Sequence, residues 1–126
     1  MYVETTEDIE VTVKPFYVPE QSDPKEPFFL FGYTVTIANR GVSKVQLLTR
    51  HWIITDGSAK VEEVRGDGVV GKQPVLEPGE TFEYTSACPL RTPTGNMRGS
   101  YLMVIGERRF SARIPLFFLR HPDTFH

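Results

Sequence analysis

The run Gly66-Asp67-Gly68-Val69-Val70-Gly71 has the spacing G-x-G-x-x-G. In a dinucleotide-binding fold those glycines bring backbone against a pyrophosphate at a helix N-terminus. A helix must then follow, but Lys72-Gln73-Pro74 comes next and Pro78-Gly79 soon after. Proline and glycine at those positions stop a helix from growing, so the sequence predicts no dinucleotide fold. Three roles remain for the glycines. They permit the positive φ of a tight loop between strands; they aim successive N–H groups into an anion-binding concavity; or they line a surface for a protein partner. Arg65 and Lys72 flank the loop with positive charge and Asp67 opposes them. The candidate anion- or partner-binding loop is therefore Arg65, Gly66, Gly68, Gly71 and Lys72.

A second polar group, Arg50 and His51, precedes the chain's single tryptophan, Trp52. Two roles fit it: Arg50 caps a sandwich end while His51 hydrogen-bonds across strands, or the pair forms a patch facing a protein partner. Other chemistry is poorly supplied. Glu62 and Glu63 are adjacent, and in a strand adjacent side chains point to opposite faces, so they cannot share acid–base work. Ser86 has no nucleophile elbow around it. Cys88 is the sole cysteine, so no intrachain disulfide forms, and it reads as a small core residue. His51, His121 and His126 are far apart, with no His-x-x-x-His or Cys-x-x-Cys spacing. A metal site needs three or four converging ligands, so neither a metal site nor a cofactor is expected, and no catalytic residue is assigned.

The elements that would position these residues are strands. The chain has 126 residues, enough for one domain, here 1–126 with loose ends over about 1–6 and 120–126. Ten prolines and ten glycines punctuate short β-branched and aromatic runs. Ile9, Val11 and Val13 alternate with Glu10, Thr12 and Lys14; Phe29, Phe31, Tyr33, Val35 and Ile37 share one face of a second strand. The stretch from Lys44 to Thr55 is apolar on both faces near its ends, so it is either central and covered or shows one face to a partner. Leu76-Glu77-Pro78-Gly79-Glu80 suits a type II turn, with Phe82 and Tyr84 in the strand beyond. Seven or eight strands at this spacing predict a sandwich in preference to a barrel. The Trp52 position, and Tyr84 as the hydroxyl donor of a tyrosine corner, favour the immunoglobulin or fibronectin type III-like β-sandwich.

A net charge of −2 argues against bulk capture of nucleic acid. No apolar run approaches the ~20 residues that cross a bilayer. The acidic start, Met1 to Asp8, lacks the features of a signal peptide, so a cytoplasmic location is expected.

Several blocks resemble the ApaG (CorD) family: Tyr17 to Pro24, Gln46 to Asp56, Val61 to Gly71, Gln73 to Gly79, Tyr84-Thr85-Ser86 and Thr92 to Tyr101. The similarity runs from about Val11 to Leu119. It implies a fibronectin type III-like sandwich that often self-associates and has no established catalytic activity. It also implies a link to cobalt tolerance and magnesium efflux, and a frequent gene neighbour encoding a diadenosine tetraphosphate hydrolase. Related eukaryotic domains, in F-box proteins and a polymerase-delta-interacting protein, serve as protein-binding modules. The family motif falls on Gly66, Gly68 and Gly71. Two places depart from it: Ser58-Ala59 stands where Asn-Gly is common, and Ile105-Gly106 shortens a connection often richer in acidic residues. The expected function is thus a non-catalytic module for protein–protein interaction, with homodimerisation; the alternative is weak binding of phosphate, pyrophosphate or nucleotide by the 66–71 loop.

Overall fold

The computed structural model describes residues 1–124. They form nine strands and two short 3₁₀ turns: β1 Tyr2–Thr6, β2 Ile9–Tyr17, β3 Phe29–Asn39, β4 Val45–Asp56, β5 Val61–Asp67, β6 Val75–Leu76, β7 Thr81–Leu90, β8 Thr94–Ile105 and β9 Arg108–Arg120. One antiparallel sheet runs β1-β2-β3-β7; the other runs β5-β4-β8-β9, with β6 added on β4. The two sheets stack on the alternating apolar positions. Val11, Val13, Phe31, Val35 and Ile37 from the first sheet meet Leu47, Trp52, Tyr101, Met103 and Phe117 from the second, all buried.

The strand count exceeds seven or eight because two elements carry little pattern of their own. Residues 2–6, expected to be loose, pair with β2 from Tyr2↔Val13 to Thr6↔Ile9. A two-residue turn at Glu7-Asp8, both at positive φ, folds the chain back. β6 is two residues long and exists through its pairing with Val45 and Gln46. Arg120 and His121, expected to be loose, are also held: Arg120 lies in β9, the His121 N–H donates to Pro93 O at 2.7 Å, and its ring packs edge-on against Tyr17 and Phe29. His126 lies outside the described residues. The type II turn is present, with Gly79 at φ 87 and the Glu80 N–H donating to Glu77 O.

The sandwich is closed along one flank and open along the other. On the closed flank β1 lies against β9: the Arg113 N–H donates to Thr6 Oγ1, and the Arg113 and Arg108 side chains pair with Glu4 and Glu7. On the open flank the sheets end in β7 and β5, each paired on one side only.

Tyr84 does not make a tyrosine corner. It stands opposite Val35 on the inner face, and its hydroxyl hydrogen-bonds the Tyr101 hydroxyl of the opposing sheet. A corner hydroxyl would return to nearby backbone; this one bridges the sandwich.

Candidate functional site

The glycine motif begins inside a strand. Gly66 is the second-last residue of β5 and stands opposite Arg50 in the β4–β5 ladder. The Arg50 guanidinium lies over it, and a Cβ at Gly66 would come within 2.8–2.9 Å of Nη2, Cζ and Nη1. From there Nη1 donates to Asp67 O at 2.9 Å and Gly68 O at 3.0 Å. Gly68 has φ +62, and a Cβ there would sit 2.2 Å from the Lys72 carbonyl oxygen. The Val69 and Lys72 N–H groups then donate to each other's carbonyls, at 2.8 and 2.9 Å. Val70 and Gly71, both at positive φ, make the two-residue turn between them. The motif is the end of a β-hairpin, with Val69 buried as its anchor.

This geometry bears on the anion-binding role. A nest presents N–H groups outward, whereas here the Gly68, Val69 and Lys72 N–H groups are engaged by Leu48, Lys72 and Val69 carbonyls. The loop turns two carbonyls toward a cation instead. Arg65 stands opposite His51, not over the loop, with its side chain exposed and its guanidinium 3.9 Å from Glu63. Lys72 is exposed.

The Arg50 and His51 side chains point to opposite faces of β4, although both residues border a shallow hollow with Thr49, Arg65, Gly66 and Asp67. The register of β4 against β8 shifts between Leu47 and Thr49. This bulge lets Leu47 and Trp52, five residues apart, both be buried, at 2 % and 3 % exposure. The two-faced look of this strand therefore comes from a change of phase in a strand central to its sheet. Beyond the bulge Arg50 and Trp52 point inward, and His51 points out, where its Nε2 lies 3.0 Å from Glu63 Oε1. Adjacent strand residues face opposite ways.

The inward turn places Arg50 in a cleft of about 340 Å³ at the open flank. Trp52 and Val64 line one wall; Tyr33, Ser86 and Cys88 line the other; Val69 and Val70 form its rim. Burial holds the Tyr33 phenol neutral above its usual range, with a Ser86 hydrogen bond and the Arg50 charge pulling the other way. Burial likewise raises the Tyr84 and Tyr101 phenols, and Arg50 opposes the rise at both. The Cys88 thiol is pushed up to about 11, by burial first and then by Glu62, so it is a neutral thiol at pH 7. Among the described residues no group of three or more His, Cys, Asp and Glu gathers in a way that could hold a metal ion.

Sequence reasoning thus found Arg50 without assigning it a face, and it missed the cleft. Tyr33, Tyr84, Ser86 and Cys88 lie on adjacent strands, and no linear spacing joins them. The available signal was parity: Tyr33 shares its face with Phe31 and Val35, which placed a phenol in the core.

Two antiparallel sheets around an aromatic core, with a cleft at one flank, define a β-sandwich of the immunoglobulin and fibronectin type III-like class. The sequence profile of the ApaG domain matches residues 19–105. Protein ApaG of Bordetella pertussis is 56% identical over 121 residues, 94% of this chain and 92% of its own length. Protein ApaG of Methylorubrum extorquens is 57% identical over 123 residues, 97% of this chain and 95% of its own. The crystal structure of the ApaA protein from Bordetella pertussis superposes with a TM-score of 0.89 at 56% identity, covering 91% of this chain and 94% of that one. The chain belongs to the ApaG family.

Proposed function

We propose that this chain is a non-catalytic interaction module that receives a protein partner along the open flank of its sandwich. The observation that carries this reading is the pair of free strand edges. Among the described residues β7 pairs only with β3, and β5 only with β4, so both present unpaired backbone on the same side. An unpaired edge is a template for an added strand. β7 is ten residues long, and apart from Glu83 and Pro89 its exposed positions carry the uncharged residues Thr81, Thr85 and Ala87. A second copy of this chain is one such partner, which makes homodimerisation part of the same reading.

The site chemistry supports a binding role over a catalytic one. The cleft's thiol is protonated and its tyrosines are held neutral, so neither supplies a nucleophile or base near pH 7. The cobalt tolerance and magnesium efflux implied by the family resemblance would then act through the partner. His51 on the outer sheet face and His121 against Tyr17 and Phe29 each already have a neighbour.

Ala87→Lys puts a charge on the exposed edge of β7 and should leave the core intact. Native complexes recovered from the source cytoplasm, compared with those of this variant, test the reading. Loss of a discrete partner, or of a dimer by light scattering, is the expected outcome. Identical complexes with both proteins would end it.

A further inference from the structure

Arg50 is held ready for an anion that the described residues do not provide. Its Nη1 is fixed by the Asp67 and Gly68 carbonyls, and its plane rests on Gly66. No carboxylate among the described residues lies within ion-pair distance of it. Its Nε and Nη2 have no hydrogen-bond partner there either, yet no unpartnered side-chain nitrogen is sealed from solvent. Nε and Nη2 form the side-on edge of the guanidinium fork, which takes both oxygens of a carboxylate in parallel. A guanidinium with one nitrogen tied down and its fork free has little left to order on binding.

The surroundings fix the rest of the ligand. Beyond the guanidinium the greater part of the wall is apolar, with Trp52, Val64 and Val70 in it, and a volume of about 340 Å³ lies at the small end of the range for ligand sites. Hydroxyls are few, at Tyr33, Tyr84 and Ser86, and two of the three are phenols kept neutral by burial. A polyanion such as pyrophosphate would meet one cation and a largely apolar chamber, and desolvating its remaining charge there is unfavourable. An acid with one charge and a compact hydrocarbon body matches both parts.

We propose that the cleft between β4 and β7 binds a small monocarboxylic acid, its carboxylate on the free fork of Arg50 and its apolar body against Trp52 and Val64. This goes beyond the partner contact at the strand edges and stands or falls separately from it.

Trp52 is the single tryptophan of the chain and lines the cleft, so its emission reports occupancy. The probe is cyclohexanecarboxylate, which does not absorb where tryptophan does, titrated at fixed ionic strength. Cyclohexanecarboxamide, inorganic phosphate and pyrophosphate serve as the other arms. The expected result is a saturable change with the acid and at least about tenfold weaker binding of the amide, a difference of about 1.4 kcal/mol. Phosphate and pyrophosphate should compete poorly. Arg50→Gln should weaken the acid by about tenfold or more while leaving the amide unchanged. Because Arg50 also holds the loop, Val64→Phe, which narrows the cleft and leaves Arg50 in place, should weaken acid and amide together. No saturable response up to about 10 mM, equal binding of acid and amide, or tighter binding of pyrophosphate than of the acid would overturn the assignment.

Discussion

The Arg50 guanidinium packs face-on over Gly66, directly across the β4–β5 ladder, and from that seat it holds two carbonyls of the following loop. One glycine hydrogen thus makes room for the cation at the open flank, and the cation orders the hairpin end that borders it.

The three motif glycines should therefore respond differently to alanine. Gly66→Ala pushes a flexible side chain aside and loses hydrogen bonds to a charged group, a cost of about 1–3 kcal/mol. Gly68→Ala drives a methyl into the Lys72 carbonyl at a positive φ and should be the most damaging, about 3 kcal/mol or more. Gly71→Ala meets open space and bears only the backbone cost, about 1 kcal/mol. Urea unfolding of the three variants gives the order directly.

Ala59 and Val70 are among the described residues that carry the opposite mismatch, a side chain at positive φ. Ala59 has φ 68 and Val70 has φ 44, a region that an L-residue adopts at a cost and a β-branched one such as Val70 at a greater cost. Ala59→Gly and Val70→Gly should each stabilise the chain by about 0.5–1 kcal/mol, the relief of strain exceeding the added freedom of the unfolded state. Thermal denaturation should place both variants above the parent.

The Tyr84–Tyr101 hydrogen bond crosses the core between the sheets. Tyr84→Phe leaves a buried hydroxyl without its partner and should cost about 1–3 kcal/mol. Removing the second hydroxyl as well, in Tyr84→Phe/Tyr101→Phe, should restore part of that loss. A double-mutant cycle by chemical denaturation reads the coupling.

Alkaline stability follows from the same burial. Tyr33, Tyr84 and Tyr101 all have phenols raised above the usual value of about 10. A raised acid binds its proton more tightly folded than unfolded, so the stabilisation is complete below about pH 10 and falls as pH rises past it. Of the chain's five tyrosines, these three should ionise together with loss of the far-ultraviolet β signal, not before it. Phenolate absorbance followed alongside circular dichroism tests the coincidence.

Much of the sandwich was legible because alternation survives wherever a strand keeps one register. Phe29 to Ile37 and Phe110 to Ile114 show their buried faces plainly. The reading fails where register changes. The bulge near Leu48 reverses the parity of β4, and it arises from pairing with β8, fifty residues away in sequence. Arg50 faces inward beyond that shift, while His51 faces out and hydrogen-bonds Glu63 across the strands, one of the two roles the sequence left open for the pair. β1 was missed because Tyr2 to Thr6 has weak alternation and is stabilised by Val11, Val13 and the flank of β9. The cleft has no linear signature, because it exists only where two sheet edges diverge.

Site-specific photocrosslinking in living cells of the source organism tests the open-flank account most directly, with a crosslinking residue placed at Ala87 on β7 or at Ser111 on β9. Discrete adducts from position 87, and none from position 111, are the predicted result. Adducts confined to position 111, or equal at both, would contradict it.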